Sequence, residues 1–210
     1  MRLLDIPAAD LMLVVSPHGE TAGVYRQARG SLDGFGIPGV VIDAPAPHGA
    51  AEALARPWGR PVLDVPADHG IVVPVTMVET NGTPLLALTF DEGAPAAETV
   101  ADAHRVAEAI ASLHLTVALL SSAHLSAGLT DRAPLGLLDG AQAADTAVLD
   151  ALLHDPREVI DLLDDLTTAG GSCGAGPTAL FSLLCAGMAA TVHCYEHPFG
   201  VGYLVASARP

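Results

Sequence analysis

Residues 11–19 read LMLVVSPHG, and this stretch decides the fold. Leu11 to Ser16 form a short unbroken apolar run, which reads as a strand buried on both faces. Pro17, His18 and Gly19 then close it. Working outward, the same kind of run returns at Val40-Val41-Ile42, at Leu85 to Phe90 after a turn at Asn81-Gly82, and at Val117 to Ser121. Helical patterns fill much of the space between. One is expected over roughly Thr21 to Leu32. Another has Val100, Ala103, Ala107, Ile110 and Ala111 on one side, with Arg105 and Glu108 on the other. Residues 45–70 are rich in Pro, Gly and Ala and read as loop plus a short helix.

Beyond Ser121 two more helices are expected. The second places Val159, Ile160, Leu162, Leu163 and Leu166 opposite Asp161, Asp164 and Asp165, and Gly170-Gly171 stops it. Pro177 suits the first turn of a further helix running to about Ala190. Thr191 to Tyr195 and Val201 to Ala206 read as a closing hairpin around Pro198-Phe199-Gly200. Strands alternating with helices define an α/β fold with a central, mostly parallel sheet flanked by helices. No linker or repeat divides the chain, so a single domain is expected.

The 210 residues are 50% hydrophobic and 16% charged, enough to bury a large core. Lysine is absent, and the formal net charge is -15. Such a surface repels phosphates, so nucleic acid and anionic membranes are excluded as partners. The Ala-, Gly- and Arg-rich usage without lysine fits a GC-rich coding genome. No apolar stretch reaches the ~20 residues of a membrane span, and the N-terminus lacks the pattern of a secretory signal. Cys173, Cys185 and Cys194 form no CxxC pair and leave one cysteine over, so reduced thiols in a cytoplasmic protein are expected.

Five places carry chemistry. His18 follows the first strand, and ligands of open α/β sheets bind outside the carboxyl ends of strands. Asp68-His69-Gly70 is a second candidate, against a solvated loop as the plain alternative. His124, just past Val117–Ser121, also lies at a strand's carboxyl end. Cys173 sits in GGSCGAGP, residues 170–177, ahead of a helix N-terminus whose dipole favours a thiolate. His193, Tyr195 and His197 would share one face of a strand. Cys185 and Cys194 read as core residues. His48, His104, His114 and His154 read as surface residues. No P-loop, dinucleotide fingerprint or serine nucleophile elbow is present. Two His and one anionic ligand would suit a non-haem metal site.

Taken in order, these motifs resemble the class III extradiol dioxygenases of the LigB type and their Memo-like relatives, over most of the chain. LMLVVSPHGET is similar to the family's strand-then-His segment, which places His18 as an iron ligand. ADHGIVVPV is similar to its DHG segment, whose His, here His69, lines the substrate pocket. LSAGLTDRAPLGLLDG, followed by Asp145, resembles the segment after the catalytic His. GGSCGAGP resembles the Memo-like segment in which a Cys, here Cys173, replaces a glutamate ligand. HPFGVGYLVA resembles the closing strand.

The resemblance implies Fe(II) held by His18 and Cys173, with a third ligand from His69 or His124. It also makes His69 and His124 the catalytic pair, a catechol-type aromatic diol the substrate, and a homo-oligomer the assembly. Zn, or no metal, are the alternatives. Three departures accompany it. No His precedes His18, where family members carry another ligand. Aligning the family's GDLSH motif on Leu125-Ser126 puts Ala127 at the catalytic His, three residues after His124. A soft thiolate replaces a carboxylate, which favours Zn and Cu as well as Fe. Three functions follow: a non-haem iron oxygenase, a catalytically degenerate binding or assembly protein, and a Cys-dependent hydrolase or redox protein using Cys173 with a nearby His.

Overall fold

In the computed structural model, which describes residues 4–5 and 8–209, Leu11 to Val15 are each at most 2% exposed. Their strand is the second of eleven among the described residues. These are β1 (Leu4–Asp5), β2 (Leu11–Gly19), β3 (Gly23–Tyr25), β4 (Gln27–Ser31), β5 (Val41–Pro45), β6 (Val62–Leu63), β7 (Val78–Glu79), β8 (Leu85–Asp91), β9 (Val117–Ser121), β10 (Ala189–Glu196) and β11 (Tyr203–Arg209). The α-helices are α1 (Ala50–Trp58), α2 (His69–Met77), α3 (Ala96–Ser112), α4 (Ala141–His154), α5 (Leu163–Thr168) and α6 (Ala175–Leu184). The main sheet has five strands in the order β6-β3-β8-β2-β9. β2 runs parallel to both β8 and β9, β3 parallel to β6, and β3 antiparallel to β8. The protein is an α/β fold with a mixed, mostly parallel sheet flanked by helices.

The chain forms two compact units, Met1–Gly93 with Arg105–Ser122, and Ala94–His104 with Ala123–Pro210. The chain crosses between them three times: at Gly93–Ala94 ahead of α3, within α3, and just after β9. In the first unit, Met12, Val14, Ile71, Val72 and Ala87 share one buried cluster. Trp58 closes α1 and packs edge-on against Phe90, ring centroids 5.6 Å apart. In the second unit, Val148, Val159, Leu163, Leu166 and Leu180 are each at most 1% exposed. Burying a leucine so completely stabilises by about 2 kcal/mol.

Several local expectations change. Residues 21–32 form β3 and β4, not a helix. Gly23 is why: a Cβ there would lie 2.7 Å from the Pro61 carbonyl oxygen, so the strand is fitted to a neighbour distant in sequence. The segment at 159–166 is split between a 3-10 helix, Pro156–Leu162, and α5. α6 stops at Leu184, and Gly187 follows with φ +77°. Asp68-His69-Gly70 opens α2 and is not a free loop. His18 lies within β2, where the pairing to β8 shifts register between Ser16 and Gly19. The turn at Asn81-Gly82, the strands β8 and β9 and the β10–β11 hairpin form as expected.

Candidate functional site

In the first unit, one carboxylate sets the geometry. Asp68 caps α2, its Oδ1 accepting from the Gly70 amide at 2.7 Å. The same oxygen accepts from the Ser16 hydroxyl at 2.7 Å. Ser16 Oγ in turn accepts from the His18 amide at 3.2 Å. Helix start and strand end are therefore tied to one group. As a result His69, the first residue of α2, stacks on His18 with ring centroids 4.3 Å apart. Phe35 lies 4.9 Å from His69, and Glu92 Oε1 lies 3.6 Å from His18 Nδ1. Tyr25 donates to Asp68 Oδ2 at 3.4 Å; burial, then the Asp68 charge, push its phenol well above the ordinary range. The two histidines meet face to face.

In the second unit an imidazole meets a thiol end-on. His124 Nδ1 lies 2.6 Å from the Leu125 carbonyl oxygen, which only accepts, so Nδ1 carries the proton. In the neutral ring Nε2 is then bare, and it stands 3.2 Å from Cys173 Sγ. The loop around Cys173 is pinned to the same segment. Ser172 Oγ donates to the His124 carbonyl at 2.7 Å and accepts from the Gly174 amide at 3.0 Å. Glycine is required at 174, because a Cβ there would lie 2.7 Å from the Ala123 methyl. Cys173 is partly exposed, and α6 begins two residues later.

Behind this pair lies a network the sequence did not reveal. Asp145, wholly buried on α4, accepts from the Ser126 amide at 2.8 Å, the Ser126 hydroxyl at 2.5 Å and the Tyr195 hydroxyl at 2.6 Å. Burial, then hydrogen bonding to Asp145, push the Tyr195 phenol far up, so it remains a donor. The sequence signal was Asp145 itself, the fifth residue of α4 and buried there.

The remaining candidates separate. Tyr195 and His197 have ring centroids 6.0 Å apart, while His193 bonds Ser207 at 2.8 Å beside a bulge. Cys185 is buried, and burial pushes its thiol from 9.0 to about 11. Cys194 is exposed, not core, because its strand belongs to a two-stranded sheet. His48, His104, His114 and His154 are exposed, as expected.

Among the described residues no three His, Cys, Asp or Glu side chains gather as a metal-holding group. Among the described residues, no helix is long and apolar enough to cross a membrane.

No family model and no curated protein matches the chain. Among solved structures it is similar to an uncharacterized protein, JW3007, from Escherichia coli K12, with a TM-score of 0.65 and 19% identity over 95% of this chain and 86% of that one. At that identity the likeness is one of fold.

Proposed function

We propose that the chain is a divergent relative of the LigB-type dioxygenases and Memo-like proteins in which ring cleavage has given way to thiol chemistry. The observation that carries this reading is Cys173 Sγ at 3.2 Å from His124 Nε2, with the imidazole's other nitrogen held by the Leu125 carbonyl. This is the relation of nucleophile, base and orienting group. His124 Nε2 takes the thiol proton. The Cys173 sulfur attacks the electrophilic carbon of a small ester or amide, and the imidazolium gives its proton to the leaving group. Water, deprotonated by His124, then cleaves the thioester and frees the thiol. A net charge of -15 favours neutral or cationic substrates. Such chemistry needs a reduced thiol, which suits a cytoplasmic setting.

The test is alkylation by iodoacetamide, followed at each cysteine by mass spectrometry across pH, together with hydrolysis of an activated aryl ester. Cys173 reacts faster than exposed Cys194 at pH 6.5, and both this advantage and ester turnover are lost in His124→Gln. Equal rates at Cys173 and Cys194 overturn the reading.

A second reading, a non-haem Fe(II) oxygenase for a catechol-type diol, draws on the His18–His69 stack with Phe35 beside it, a setting for a flat aromatic ring. Anaerobic Fe(II) loading distinguishes the two. Near-stoichiometric iron lost in His18→Ala, with catechol-dependent oxygen uptake, would replace the thiol reading.

A further inference from the structure

We propose that Asp145 is a positioning residue for the Cys173–His124 pair and acts through a single peptide unit; this rests on the thiol reading above. The Leu125 carbonyl and the Ser126 amide belong to the same planar peptide group and point in opposite directions. The carbonyl accepts the Nδ1 proton of His124 at 2.6 Å. The amide donates to the buried Asp145 carboxylate at 2.8 Å. The order is therefore carboxylate, peptide unit, imidazole, thiol. It is the arrangement of an acid-base-nucleophile triad with a peptide unit between acid and base.

Two things follow from that placement. The first is orientation. The Leu125 amide donates to the Gly202 carbonyl at 2.8 Å, the Gly202 amide donates to the Ser126 carbonyl at 2.8 Å, and the Ala127 amide donates to the Gly170 carbonyl at 2.8 Å. With Asp145 holding the Ser126 amide as well, the peptide plane cannot turn, and the imidazole keeps the tautomer that presents Nε2 to the sulfur. The second is charge. A carboxylate on the amide end polarises the peptide and makes its carbonyl oxygen a stronger acceptor, which stabilises the imidazolium that forms when the thiol gives up its proton. A carboxylate placed here only for packing would be a poor choice, because an apolar side chain of similar size avoids the cost of burying charge. Its three donors are an amide and two hydroxyls, none cationic, so none of them neutralises the carboxylate as an ion pair would. Tyr195 is the titratable group bonded to Asp145, and Cys173 the one facing His124.

The experiment reads the pH profile of Cys173 alkylation in the full chain, with buried Cys185 in the same spectra as the report on folding. Asp145→Asn keeps the shape and a carbonyl acceptor for the Ser126 amide but removes the charge. It is expected to move the Cys173 inflection upward and to slow the reaction at pH 6.5 by about 3- to 10-fold, while Cys185 stays protected. Ser126→Ala leaves the charge but removes a bond that holds the carboxylate against the Ser126 amide, and this loss of orientation is expected to move it the same way by about twofold. A wild-type profile in Asp145→Asn with Cys185 protected overturns the proposal. If Asp145→Asn exposes Cys185, the decision passes to Ser126→Ala: an upward shift supports the proposal and an unmoved inflection overturns it. Failure of the thiol reading looks different, since the wild-type Cys173 profile would already match that of Cys194.

Discussion

The two units each bring a pair of reactive side chains together, and they do so in opposite ways. In the first, His18 and His69 stack face to face, while a capping carboxylate sets where their backbones lie. In the second, the His124 ring presents one nitrogen to Cys173 and gives the other to a carbonyl. Both pairs are close. In the second, the Leu125 carbonyl fixes which nitrogen holds the proton and so which lone pair faces the sulfur, the relation an acid-base couple needs. Stacked imidazoles offer a flat surface; an end-on imidazole offers a proton path.

The sharpest way to break this contrast is His124→Gln. It is expected to slow Cys173 alkylation at pH 6.5 by about 10- to 100-fold relative to Cys194, measured by mass spectrometry. No change would mean that the second pair is not an acid-base couple. In the first unit the corresponding change is Asp68→Ala, which removes the α2 cap and the Ser16 acceptor together. Urea unfolding is expected to show a loss of about 1–2 kcal/mol with the alkylation profile of Cys173 unmoved. A moved profile would tie the two pairs to one function.

Alkaline pH probes burial in both units. The folded protein holds the Cys185 proton to about pH 11 against an ordinary 9.0, and Tyr25 and Tyr195 shift the same way. Stability from the thiol is therefore fully present below pH 9 and drains as pH rises through 11, by about 2–3 kcal/mol in all. Urea midpoints at pH 8 and 10.5 measure it, and Cys185→Ala is expected to flatten the difference. The smallest effect belongs to Glu92→Gln. Glu92 is 57% exposed, so its contact with His18 is expected to be worth less than about 0.5 kcal/mol by urea unfolding.

Where the chain's own neighbours determine structure, the sequence was readable. Apolar runs bounded by turns located β2, β8 and β9, and the spacing of Val100 to Ala111 located α3. Where a distant partner decides, it was not. Gly23 looks permissive in sequence and acts as a close-approach residue against Pro61. α2 is apolar all round and holds Pro74 within it, so neither period nor propensity announced it. His124 and Cys173 each stood out alone. Their pairing spans 49 residues and depends on a tautomer fixed by a backbone carbonyl, which no local pattern encodes.

Trp58 offers a last consequence. It is the chain's single tryptophan, 2% exposed, with an indole N–H that finds no hydrogen-bond partner among the described residues. An indole so dry emits at short wavelength and reddens when water reaches it, and it belongs to the first unit. Cys185 belongs to the second. Emission colour and thiol protection, followed in one urea series, thus act as separate clocks for the two halves of the molecule. Coincident transitions would mark one cooperative unit of unfolding, and separated ones would mark two.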